Sequence, residues 1–377
     1  MNKFSFLSIF LILLSFQTTL YCSADDFSAA DFSANEELLL KYRINGDYLK
    51  ESNLRTVLEE LLFSETDPLS RTALKRLLYQ ELIELPDDIF FDKHISALAA
   101  DGDDLWMGSR SGDIARYSLS EKSWKSFIRG QDSLAIKTMQ TILPDHERIW
   151  FLSYGSVGVY SKRHSRLIYL DIPDEKDYRG LQSGIVVGTG LITGTQSRGL
   201  RRIRLDSQSV LPLASDLRNV TFLQALDDQR ILAGSEEDGL FILDRSFNAS
   251  AAGQNSRQLS AARAVLGDSR SRMIAGSYGG GLYKLVRQGD KYDIVLLNSR
   301  TRWITGGVEL PEHFCFSTLG QGLLVMEKES LEISYLGISE GLGGLDMSSI
   351  AYVEPYIICA VQEQGLVKIH EDLFRTP

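Results

Sequence analysis

MIAGSYGGGLYKL, residues 273–285, sets three consecutive glycines between two apolar runs. A phosphate-cradling loop needs such glycines to open a helix N-terminus. A tight turn between strands needs glycine where the chain reverses through positive φ. The continuation, LYKLVRQG, alternates and stops as a strand does. The pattern also returns six times: LWMGSRSGDIARY (105–117), WFLSYGSVGVYS (150–161), LITGTQSRGLRRI (191–203), ILAGSEEDGLFIL (231–243), FCFSTLGQGLLVM (314–326) and IICAVQEQGLVKI (357–369). The closing glycines are Gly158, Gly199, Gly239, Gly281, Gly322 and Gly365, with Asp113 holding that slot in the first copy. They recur every 40 to 45 residues. A nucleotide loop does not repeat in this way, so the glycine run reads as one turn of seven.

A further apolar stretch precedes each copy, such as ISALAAD (95–101) and VTFLQALDD (220–228), and a fourth follows most copies, such as SWKSFI (123–128). Four short strands every ~40 residues is the signature of a propeller blade. The predicted fold is mainly β, a seven-bladed β-propeller over residues 87–377. The last copy is followed only by EDLFRTP, too short for a good fourth strand. DDIFFD, Asp87–Asp92, is therefore expected to supply the outer strand of the last blade and cover its open edge.

Residues 25–86 read as a short α-helical segment. Ser33 and Glu36 have capping-box spacing. Leu54, Val57, Leu58, Leu61 and Leu62 share one helical face. Asp67–Pro68 opens a third helix whose stripe runs through Leu74, Leu77, Leu78 and Leu82. This unit either docks on the propeller or carries a partner site. Residues 1–24 have the order of a secretory signal peptide: Lys3, an apolar run from Phe4 to Leu14, then small residues at Cys22 and Ala24. The mature chain is expected to be periplasmic or secreted, with a lipoprotein anchored through Cys22 as the alternative. No later run is apolar enough to span a membrane.

The formal net charge of −10 is spread along the chain and gives no basic stripe for nucleic acid. Beyond Cys22 only Cys315 and Cys359 remain, which excludes a disulfide scaffold. They read as buried thiols, with a disulfide between them as the alternative. The histidines His94, His146, His164, His313 and His370 show no metal-ligand spacing, and no nucleophile elbow appears. The expectation is a non-enzymatic protein with no cofactor and no metal, with an enzyme whose catalytic site is gathered across separate blades as the alternative.

The first blade, ALAADGDDLWMGSRSGDIARYS, resembles the propeller repeat of extracytoplasmic sensor domains of two-component regulators. Leu105, Trp106, Gly108 and Ser109 carry the resemblance, as do Gly234, Ser235, Gly239 and Leu240 in blade 4 and Gly276, Ser277, Gly281 and Leu282 in blade 5. It covers about residues 95–372. Sensors of that kind usually continue into a membrane helix and a kinase, and this chain shows neither. The resemblance thus implies the fold, and any signal would pass through a partner.

In a propeller, the turns between second and third strands emerge on one face. Here they carry Arg110, Tyr154, Gln196, Arg198, Glu237, Tyr278, Gln321 and Gln362. Rigid strands presenting variable turns suit recognition, and tyrosine suits exposed contact surfaces. These residues are the candidate binding set. Trp303 either lines the same face or packs inside. The function expected is a monomeric scaffold binding another envelope protein. The alternative is a small-ligand or glycan sensor that signals through a separate membrane partner.

Overall fold

The alternating runs pair as the repeat predicts. In the computed structural model they form seven four-stranded antiparallel sheets. The structure describes residues 62–63, 71, 74–75, 78–128, 138–154, 156–170, 180–188, 190–207, 209–213, 217–268, 271–301, 303–338 and 342–374. The signal segment 1–24, Cys22 and the Ser33–Glu36 helix start lie outside them. Blade 1 runs outward through Ile95–Asp101, Asp104–Ser109, Ile114–Ser118 and Ser123–Ile128. The inner strands of blades 2 to 7 are Met139–Pro144, Leu181–Val187, Val220–Ala225, Ala262–Gly267, Ile304–Glu309 and Met347–Val353. Each inner strand contacts the inner strand of the next blade, and the seventh contacts the first, so the ring is closed.

The blades stick to one another through apolar side chains, because each sheet has two faces to bury. Between blades 1 and 2, Trp106 meets Phe151 and Tyr160 at ring distances of 5.8 and 4.9 Å. The glycine near the end of a second strand has a packing reason. A Cβ on Gly194 or Gly276 would run into Val220 or Ile304, the first inner-strand residue of the next blade. A serine or threonine follows each of these glycines, closing the strand.

Closure uses a different segment from the one expected. The outer strand of blade 7 is Gln80–Ile83, with Leu82 opposite Val367 and Ile83 opposite Leu366. Asp87–Asp92 is not a strand. It is a turn-bearing connector whose Ile89 and Phe90 are buried between blades 7 and 1. The edge beside the Gly365–His370 strand is already taken by Gln80–Ile83, so Asp87–Asp92 has no ladder left to join. Immediately upstream, Leu74, Leu78 and Tyr79 are helical, and Leu62, Leu74 and Tyr79 pack into the core of blades 6 and 7. The described part of the helical segment is therefore docked on the propeller.

Asp113 explains why blade 1 departs from glycine. Its buried carboxylate accepts hydrogen bonds from Ser109 Oγ at 2.5 Å, Ser111 Oγ at 2.9 Å and the backbone N–H groups of Phe91 and Asp92 at 3.1 Å. It clamps the connector that leads from the closing strand into blade 1. Asp113→Gly puts in the residue that blades 3 to 7 carry there and removes the clamp. It is expected to cost about 3 kcal/mol, because buried donors lose their acceptor. A urea melt checks this, and an unchanged midpoint would show that the connector is held by Ile89 and Phe90 alone.

Blade 2 also departs from the repeat. Ser153 N–H donates to Ser156 at 3.0 Å across a turn of two residues. In blades 1, 3 and 6 the corresponding bond spans three, as from Thr195 N–H to Gly199 O at 3.0 Å. The slot read as Gly158 belongs to Ser156, and Gly158 lies inside a strand opposite Phe151. Cys315 and Cys359 are buried free thiols in one apolar cluster, and burial pushes the Cys359 thiol up to about 12.

Candidate binding face at the second-to-third-strand turns

Each of these turns is fastened at its first residue. The backbone N–H of that residue donates to the residue just before the same blade's inner strand. The seven bonds are Arg110 to His94, Tyr154 to Thr138, Gln196 to Gly180, Glu236 to Asn219, Tyr278 to Ala261, Leu319 to Trp303 and Gln362 to Asp346, all between 2.8 and 3.2 Å. Neighbouring blades are stitched at the same level: Gly180 N–H reaches Tyr154 O at 2.8 Å, and Asn219 N–H reaches Gln196 O at 2.9 Å. The face is a rigid backbone rim with side chains standing on it.

Of the eight residues predicted for this face, Arg110, Tyr154, Gln196, Arg198, Glu237 and Gln362 are exposed, and Tyr278 and Gln321 are half-buried. The fold joins one pair of them across a blade junction: Tyr154 donates its hydroxyl to Gln196 Oε1 at 3.3 Å. Glu237 accepts instead from Asn219 Nδ2 at 3.2 Å. The Arg198 backbone N–H is held by Thr195 Oγ1 at 2.9 Å. Arg110, Gln321 and Gln362 occupy separate sectors of the rim. Among the described residues no group of three or more metal-ligating side chains converges.

The inner end of the face has its own regularity. The second residue of every inner strand is a β-bulge: Ser96, Gln140, Gln182, Thr221, Arg263, Thr305 and Ser348. Four of these side chains tie to the next blade. Ser96 Oγ donates to Met139 O at 2.7 Å, Thr221 to Ala262 O at 3.0 Å, Thr305 to Met347 O at 2.7 Å and Ser348 to Ile95 O at 2.5 Å. In blades 2 and 3 the next residue does the same work: Thr141 donates to Gln182 O and Ser183 to Val220 O. Six junctions are thus hydroxyl-bridged. In blade 5 the bulge is Arg263, and Ala264 after it has no hydroxyl.

Arg263 faces the rim. Its guanidinium lies over the Tyr278 ring at 5.4 Å. Tyr278 meets Trp303 edge-on, with centroids 4.9 Å apart, and the two backbones form a bridge. Trp303 is 45% exposed, so it lines this face and does not pack inside. Burial lowers the Arg263 pKa, while the Glu236 carboxylate opposes that shift. The side chain stays cationic near neutral pH. Arg263 carried no signal in the sequence. AARAVLGD reads as an ordinary strand, and only the comparison of seven bulges in space singles it out.

No family model and no curated protein matches the chain. Among solved structures it is similar to the extracellular domain of a protein assigned as a hybrid two-component system of B. thetaiotaomicron. Identity is 12%, the TM-score is 0.60, and the match covers 77% of this chain and 41% of that one. It is also similar to the computationally designed Ika8 protein, with 10% identity and a TM-score of 0.51 over 74% of this chain and 96% of that one. At these identities the likeness is one of fold. The chain spans about two fifths of the length of the first of these proteins. No helix among the described residues is long and apolar enough to cross a membrane.

Proposed function

We propose that this chain is a non-enzymatic, extracytoplasmic propeller that binds a protein partner, another envelope protein, on the rim of second-to-third-strand turns. The observation that carries the reading is the anchoring of all seven turns by one repeated backbone bond, with exposed aromatics standing on it. A pre-organised, polar rim with aromatic anchors is what a protein-binding surface requires, since little ordering entropy is lost on contact. The likeness to an extracellular domain supports placement outside the cytoplasm.

The test is capture from an envelope extract by the parent protein and by a Tyr154→Ala, Tyr278→Ala double variant of equal melting temperature. The expected result is a partner retained by the parent and reduced at least ~10-fold by the double variant, as loss of two anchors of about 1–2 kcal/mol each implies. A partner held equally by both moves the interface off this rim. No partner at all turns the reading toward a small-ligand or glycan sensor.

A further inference from the structure

The junction between blades 5 and 6 gives up the hydroxyl bridge found at the other six and puts an arginine there. A position that breaks the local rule its neighbours keep is expected at a functional or a strained site. Arg263 brings five N–H donors to the rim in a fixed fork. Among the described residues no carboxylate pairs with them, and the guanidinium rests against the ring of Tyr278. Arg263 and Tyr278 are both half-buried, so each reaches the surface of this face. Trp303 stands beside Tyr278, half in water. Glu236 is the charged group facing Arg263 from the neighbouring blade.

We infer that Arg263, with Tyr278 and Trp303 beside it, receives a carboxylate carried next to an aromatic side chain on an acidic peptide segment. The guanidinium fork would take the carboxylate, and the exposed indole would cover the adjacent ring. The carboxylate could belong to an aspartate side chain or to a chain terminus. This rests on the protein-binding reading and assigns the chemistry of its anchor.

The probes are Ac-Gly-Asp-Phe-Gly-NH2 for the side-chain source, Ac-Gly-Gly-Phe-OH for the terminal source and Ac-Gly-Asn-Phe-Gly-NH2 as the uncharged control. The readout is the fluorine NMR signal of Trp303 in the full chain labelled with fluorotryptophan, identified by its loss in Trp303→Phe. The expected result is a saturable shift with one or both acids and at least ~10-fold weaker response to the control, the worth of a charge-assisted bond. Arg263→Met should weaken the acid by a similar factor. Arg263→Lys should weaken it less, keeping the charge and losing the fork. Glu236→Gln should tighten it several-fold, since a competing carboxylate is gone; a merely structural Arg263 would give no such gain. The inference is overturned if the control shifts Trp303 as strongly as the acids. It is also overturned if folded Arg263 variants bind like the parent, or if no shift appears up to about 10 mM peptide. Should Arg263→Met fail to fold, the Lys and Glu236→Gln variants decide. Tyr278-dependent capture of a protein without any carboxylate response sinks this site and leaves the function reading standing. The reverse pattern sinks the function reading and leaves the site.

Discussion

Gly281→Val is expected to melt far below the parent, with a loss of about 3–5 kcal/mol. Gly281 opens the third strand of blade 5 at φ +99, where a branched side chain is strained. Space makes the position worse. A Cβ there would land on the carbonyl oxygen of Asn298, which belongs to the outer strand of the same blade. The outer strand would have to leave the ladder for valine to fit. Gly289 is the control. It also has positive φ, +63, but its Cβ would meet nothing within 4 Å. Gly289→Ala should cost only about 1 kcal/mol, the left-handed penalty alone. Thermal melts of the two variants side by side check this. Equal losses would mean that the clash with Asn298 relaxes at no cost.

Ile83→Asp should be at least as damaging. Ile83 is 5% exposed, lies opposite Leu366, and packs with Leu85, Ile95 and Leu105 where blade 7 meets blade 1. A carboxylate placed there has no partner, which costs about 4 kcal/mol or more even after the group takes up a proton. Phe91→Asp tests the alternative closure. Phe91 lies in the connector and is 55% exposed, so its loss should stay within about 0.5 kcal/mol. Denaturant melts that rank Phe91→Asp as the worse variant would restore Asp87–Asp92 as the closing element.

The seven-bladed plan was legible because it is written seven times. One glycine-bearing hairpin is ambiguous, and its recurrence is not. The closing strand was not legible, for a physical reason. Leu74, Leu78 and Leu82 keep helical spacing straight through the point where the helix stops, and no glycine or proline occurs between Leu78 and Leu85 to mark the change. Four residues are too few for their own pattern, and the partner strand decides their conformation. Ile89 and Phe90 looked strand-like because they are buried, yet they are buried in a connector. Gly158 was misread because blade 2 shortens its turn by one residue, which shifts the apparent slot. At the candidate face, turn positions could be read from the repeat, and Tyr154, Gln196 and Tyr278 stand there. Arg263 could not, since a bulge is a property of two strands in register and leaves no mark on one of them.

The closing strand also orders events in time. Gln80–Ile83 leaves the ribosome among the first residues of the fold, and its partner Leu366–Ile369 among the last. Until then Leu82 and Ile83 have no ladder, and the blade they complete does not exist. Contacts between such distant points carry a large loop-closure cost and make for slow, millisecond-to-second folding. The early blades form from local hairpins, while the ring stays an open arc with apolar ends. It becomes a closed object in one late step, once Leu366–Ile369 has been made, and that step is the one at which aggregation competes with folding.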